Sequence, residues 1–341
     1  MKKLISLMLA LIFVFSMATV AMADTEPTGP YNGKLDHSTS FTKAYLVNNG
    51  TAPAEHFGFS IEFIGYKDNE GKAATTLPTT YPTVTLGEAS FGAKTASAAA
   101  YTSDASVGIT NYEQCALGVY TYKITENAGT TAGVNYVATP VYLNVTVLVH
   151  DGSDDHYVAA IHYTDAMTGN KVGSTQNSYD AGTLNVRKLV TGNMGDTSKD
   201  FTFTVKFEAV SGRSIKSAIT YSVAGGTTQT VGTSNEVTIT LKHDQTATFT
   251  NVPYDVTYTV TETQDTNYET TYQVNGATAV SGLVATDAMD TATENVVFTN
   301  NRETEVDTGI TLDSLPFVLI LAVCAGAVVL FVIKRRNSVE F

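Results

Sequence analysis

Apolar and polar residues alternate with period two through most of the chain's interior, as in Phe201-Thr202-Phe203-Thr204-Val205-Lys206-Phe207 and Val237-Thr238-Ile239-Thr240-Leu241. Side chains two apart on an extended backbone share a face, so each run reads as a strand with one buried side and one wet side. Gly, Asn and Asp clusters punctuate the runs, and no long interior segment carries apolar residues at helical spacing. The pattern predicts an all-β chain built from tandem immunoglobulin-like β-sandwiches.

The two ends break this alternation. At the start, Lys2 and Lys3 precede an apolar run from Leu4 to Phe15, and Ala21-Met22-Ala23 supplies small residues at an A-x-A site. That order is a secretory signal peptide, residues 1–23, removed after Ala23. At the other end an uncharged stretch, 315–333, is followed at once by Lys334, Arg335 and Arg336. As a helix these 19 residues reach about 28 Å, enough to cross the hydrocarbon of a bilayer. The basic residues behind it hold the tail on the cytoplasmic side and leave everything before it outside. Just outside the span lies Glu305-Val306-Asp307-Thr308-Gly309. This tripartite tail, residues 305–341, resembles the cell-wall sorting signal of Gram-positive bacteria. The resemblance implies that a sortase cysteine attacks the Thr308 carbonyl, releases Gly309 onward and passes the acyl group to an amine. Glu305 and Val306 stand where the common motif has Leu and Pro, a form found in some pilins, which points to a pilus-type sortase.

Between the processing sites, Asp24 to Thr308 is long enough for two domains, expected at 24–181 and 182–304. Five of the chain's 20 basic residues and two of its 33 acidic ones fall outside that part, leaving 15 against 31. So acidic a surface excludes nucleic acid as a partner and disfavours anionic lipid. Of the two cysteines, Cys324 is inside the apolar span, so Cys115 has no intrachain disulfide partner in the exported part. An exported protein without disulfides needs another source of resistance to force and proteolysis.

The same order of features occurs twice. One unit opens with Phe41-Thr42-Lys43-Ala44-Tyr45-Leu46-Val47 and later carries Tyr120-Thr121-Tyr122-Lys123-Ile124-Thr125-Glu126. The other opens with Leu184-Asn185-Val186-Arg187-Lys188-Leu189-Val190 and later carries Val256-Thr257-Tyr258-Thr259-Val260-Thr261-Glu262. By parity Lys43 and Lys188 share their faces with apolar neighbours, and Glu126 and Glu262 do the same. A lysine and a glutamate aimed into each core are costly unless they meet. Asn300 falls on the face of Val296 and Phe298 at the end of the second unit, and Asn177 is its counterpart before the boundary of the first. An ordinary ion pair at a strand edge is the plainer reading of each pair.

With these residues in hand, the exported part resembles the two-domain streptococcal type of sortase-assembled major pilin, whose CnaB-like domains carry internal isopeptide bonds. The resemblance implies a bond from Lys43 to Asn177 assisted by Glu126, and one from Lys188 to Asn300 assisted by Glu262. Physical chemistry supplies the logic. Burial favours a neutral, nucleophilic lysine amine and a neutral carboxylic acid. Such an acid would hydrogen-bond the amide carbonyl and stabilise its oxyanion. The resemblance also implies an acceptor lysine for sortase near the end of the first domain, where Lys171 stands, while Lys94 and Lys123 read as ordinary surface lysines. The expected role is a structural pilus subunit, with a wall-anchored adhesin that does not polymerise as the alternative. Expected partners are a pilus-type sortase, other copies of the chain, ancillary pilins, peptidoglycan and host surface ligands. No cofactor or metal is expected, and no phosphate loop, metal-spaced cluster or nucleophile elbow points to an enzyme acting on an external substrate.

Overall fold

The computed structural model describes residues 39–150, 152–166, 169–304 and 315–337. The signal peptide at 1–23 and the pentapeptide Glu305 to Gly309 lie outside the described residues. Within them the chain is built from strands plus one helix, and the period-two pattern becomes burial. The strand Val256–Glu262 buries every second side chain, and Phe201–Ala209 does so as far as Phe207.

In the first unit the opening strand Thr39–Val47 lies inside a five-stranded sheet. Ser174–Tyr179 runs parallel on one side of it and Tyr101–Thr110 antiparallel on the other. A four-stranded sheet packs against this one in the order His156–Thr164, Val141–Val149, Gly118–Glu126, Phe59–Asp68. The inner faces share one core, which includes Phe41, Tyr45, Phe57, Tyr120 and Leu143. Burial of each such side chain contributes on the order of 1.5–3 kcal/mol.

The second unit repeats the plan. Ala181–Thr191 lies between the parallel strand Thr293–Asn301 and the antiparallel strand Thr246–Pro253 in a seven-stranded sheet. Its facing sheet has the order Glu236–Leu241, Phe201–Ala209, Val256–Glu262, Val284–Met289. Leu184, Phe203, Phe249, Tyr258 and Phe298 belong to the core between them. Placing a domain's first and last strands side by side and parallel requires the chain to travel around the sandwich and return. The strand termini therefore lie at opposite ends of the unit.

The two units meet closely. Only Asp180 separates the strand Ser174–Tyr179 from Ala181–Thr191, and its carbonyl accepts from the Tyr254 N–H at 3.0 Å. The side chain of Asn251 accepts from the Thr51 N–H at 2.8 Å and donates to the Thr51 carbonyl at 3.2 Å. The Tyr179 and Ser217 hydroxyls are 2.6 Å apart.

Cys115 is buried and unpaired, and its thiol is pushed up to about 11 by burial, with Glu113 adding to the shift. The helix Leu315–Asn337 carries Lys334, Arg335 and Arg336 in its last turn. Its segment Pro316–Arg336 has a mean hydropathy of 2.9 and is long enough to cross a membrane. Its side chains from 316 to 336 are exposed, which suits lipid rather than water. This C-terminal apolar helix fits a sorting signal.

Candidate functional site

Each unit buries one lysine, one glutamate and one asparagine together, and the backbone register explains why. In the first unit Tyr45 lies opposite Asn177 across the parallel pair of strands. In the second, Val190 lies opposite Asn300. Both asparagines thus stand two residues beyond their lysine on the neighbouring strand, on the same inward face. Glu126 and Glu262 each close a strand of the facing sheet, Gly118–Glu126 and Val256–Glu262, and reach across the core. Lys43, Lys188, Asn177 and Asn300 have no accessible surface.

In the first trio, Lys43 Nζ donates to Glu126 Oε2 at 2.5 Å and to Asn177 Oδ1 at 2.8 Å. Asn177 Nδ2 donates to Glu126 Oε1 at 2.5 Å. A fourth group, the backbone N–H of Val137, donates to Asn177 Oδ1 at 3.1 Å. In the second trio, Lys188 Nζ donates to both oxygens of Glu262, at 2.8 and 2.7 Å, and Asn300 Nδ2 donates to Glu262 Oε1 at 2.5 Å. Here the amide oxygen differs: Asn300 Oδ1 is buried and accepts no hydrogen bond from the described residues. Leaving a buried acceptor unmatched costs about 1–3 kcal/mol, so this oxygen is a high-energy feature of the site.

Aromatic rings surround both amines. Lys43 Nζ lies 5.2 Å from the centre of the Phe57 ring, and Lys188 Nζ lies 4.4 and 5.6 Å from those of Phe201 and Phe203. Burial drives the Lys43 amine below the ordinary lysine range despite the opposing pull of Glu126. It brings Lys188 down to about 8, with Glu262 again opposing. Desolvation dominates because an ammonium loses more hydration than one carboxylate restores. Each site therefore holds an amine that readily becomes neutral and a carboxyl group touching both the amine and the amide nitrogen, and in the first the amine also donates to the amide oxygen. That arrangement can move a proton from the amine to the amide nitrogen.

The geometry differs from the sequence expectation at one point. The carboxyl oxygens face the amine and the amide NH2 rather than the amide carbonyl, and in the first unit the backbone N–H of Val137 donates to that carbonyl. The other expected residues lie apart from the trios. Lys171 is exposed and forms an isolated bridge with Thr164. Lys94 Nζ lies over the Tyr101 ring at 4.8 Å. The sortase pentapeptide, Glu305, Val306, Asp307, Thr308 and Gly309, is outside the described residues.

Two further buried carboxylates escaped the sequence reading. Glu294 accepts from Thr291 Oγ1 at 2.5 Å and also from Asn275 Nδ2. Glu55 accepts from Thr131 Oγ1 at 2.5 Å and pairs with Lys216 Nζ at 3.6 Å. The signal for Glu294 was present, since it shares the period-two face of Val296, Phe298 and Asn300. Glu55 lies in a three-residue strand too short to show a period.

Comparison with known proteins bears on what these sites belong to. Residues 182–302 match a family described as a domain of unknown function, DUF7601. The chain is 32% identical over 235 residues to a pilin of Streptococcus pyogenes serotype M1, covering 65% of this chain and 68% of that protein. A stretch of 130 residues, 38% of this chain, is 32% identical to the pilus tip adhesin Cpa of Streptococcus pyogenes and covers 18% of it. The crystal structure of the major pilin from Streptococcus pyogenes superposes with a TM-score of 0.52 at 23% identity, covering 78% of this chain and 99% of that one, a likeness of fold. The chain belongs to this family of Gram-positive pilins. Its role is that of a structural subunit of a cell-surface pilus.

Proposed function

We propose that this pilin is joined covalently into a fibre and that each of its two sandwiches, domains 24–181 and 182–304, is closed by an autocatalytic isopeptide bond. The observation that carries the reading is the twofold recurrence of the buried trio, with the asparagine at the same register offset from the lysine in both units. In each unit the neutral lysine amine attacks the asparagine Cγ. The carbonyl electron pair moves to Oδ1, and the glutamate takes a proton from Nζ and returns one to Nδ2. The C–Nδ2 bond then breaks and ammonia leaves, so lysine and asparagine are left joined by an amide. A buried ammonium and its counterion are exchanged for a neutral link and a hydrogen-bonded acid, which removes the cost of holding an ion pair in an apolar core.

The bonds connect positions 134 and 112 residues apart, Lys43 to Asn177 and Lys188 to Asn300. In the chain-entropy picture for cross-links, closing loops of that size stabilises by about 5 kcal/mol each. The subunits themselves are joined by a pilus-type sortase, which cuts between Thr308 and Gly309 and transfers the Thr308 acyl group to Lys171 of the next subunit. The exposure of Lys171 near the end of the first domain supports this assignment. Immunoblots of wall extracts test it: the wild-type chain is expected to give a ladder of covalent multimers, and Lys171→Ala only monomer. Ladders that persist in the variant would exclude Lys171.

A further inference from the structure

The segment that presents Val137 to the first trio belongs structurally to both units. On one side Val134 and Asn135 pair with Tyr179 and Ser178 of the strand that carries Asn177. Gly133 makes that approach possible. It sits at φ +80, and a Cβ there would lie 2.6 Å from the Asp180 carbonyl and 2.8 Å from the Tyr179 ring. On the other side the second unit takes hold of the same segment. The Ser214 N–H donates to the Thr130 carbonyl at 2.7 Å, and the Ala132 N–H donates to the Ser214 carbonyl at 2.9 Å. Arg213 donates to the carbonyls of Thr131 and Val134, both at 3.3 Å, and lies over the Tyr136 ring at 5.3 Å. Ala132 is fully buried in the second unit's core.

We propose that the Val137 N–H is the oxyanion donor for the first unit's cross-link, and that docking of the second unit through Arg213 and Ser214 holds it in place. The inference rests on the cross-linking reading above. As Lys43 Nζ turns from donating to Asn177 Oδ1 to attacking Cγ, its own hydrogen bond to that oxygen is lost. The 3.1 Å contact from Val137 then remains to meet the charge that develops on Oδ1. A donor fixed by backbone pairing before the reaction needs no reorganisation when that charge appears. Glu126, Val137 and Thr175 also line a small crevice beside the trio, through which ammonia can leave. It follows that the first domain closes its bond only once the second has folded against it. A chain emerging from the ribosome or the translocon would then cross-link its first domain late.

The test follows bond formation in time. The full chain is made by cell-free synthesis with detergent, quenched at intervals in acidic denaturant and digested, and the cross-linked peptides of each unit are measured separately by mass. Replacing Val137 with α-hydroxyisovaleric acid turns its amide into an ester and removes the N–H while keeping the side chain, and Val137→Pro removes it by a second route. Loss of one such donor is expected to slow the first unit's bond by about 10²- to 10³-fold. The second unit's bond should form at the wild-type rate in both variants. Arg213→Ala should slow the first bond several-fold and leave the second unchanged. An ester variant that forms the first bond as fast as wild type overturns the proposed donor, and an unslowed Arg213→Ala removes the second unit from the mechanism. A wild-type chain that never loses ammonia from the first unit overturns the cross-linking reading itself.

Discussion

The two trios have the same residues and the same register, yet they differ at the amide oxygen and on the path that tension takes. The first carbonyl oxygen has a backbone donor, and the second is buried with none among the described residues. The load path differs as well. A pull entering at Lys171, the proposed acceptor, would run through residues 172–180, Asn177 among them, straight into the second unit; Lys43 lies off that path, so a Lys43–Asn177 link would not be in series with the load. In the second unit a pull enters at Ala181 and leaves after Asn301, along parallel neighbouring strands. There the Lys188–Asn300 link would carry the force past everything between them. On the proposed reading both trios react, but the first carbonyl has a donor already in place and the second link would lie in series with the load.

Stretching a single chain between Lys171 and its C-terminal end probes the largest consequence. With Glu262→Ala, the residues between Lys188 and Asn300 should pay out, adding roughly 370–400 Å of extension. With Glu126→Ala no such extension is expected, and equal lengthening in the two variants would break the asymmetry.

Equilibrium stability should separate the sites less. Each glutamate variant should unfold at lower denaturant, with its domain less stable by about 5 kcal/mol from the lost link. Both should lose more than that, because Lys43 in one variant and Lys188 in the other is left fully buried without its counter-charge. Next in size is rate: once both units have folded and docked, the first bond should form about 10²-fold faster than the second, as expected for one preset donor. Equal rates would show that the orphaned Asn300 oxygen finds help elsewhere.

The smallest effect is the dependence on pH. Burial lowers Lys188 to about 8 in the folded state, against about 10.4 in an open chain. Only the neutral amine attacks, so the second bond's rate should rise with pH up to about 8 and level above it. Before the bond forms, the folded state binds fewer protons than the unfolded one between those values. Stability of the unlinked chain should therefore increase from pH 8 to 10. Once linked, Lys188 no longer titrates and that rise should vanish. A rate flat from pH 6 to 9 would contradict the assignment.

Much of this was legible in the sequence because strands write burial in parity. Lys188 among Leu184, Val186 and Val190, and Asn300 beside Phe298, are visible by counting in twos. Asn177 could be named but not secured, since its strand, Ser174–Tyr179, opens with polar residues, and only its parallel pairing with Thr39–Val47 explains its burial. Val137 could not have been found. What it contributes is a backbone N–H, and every residue but proline has one; its significance comes from a non-regular stretch held between two units. The Arg213 and Ser214 contacts are hidden for the same reason, since contacts between domains follow no period.

The central claim is tested most directly by the intact mass of the processed chain. Two bonds predict a mass lower than the sequence by two ammonia molecules, with one restored in Glu126→Ala, one in Glu262→Ala and both in the double variant. A wild-type mass equal to the full sequence would mean that the trios are unreacted ion pairs and would contradict the account.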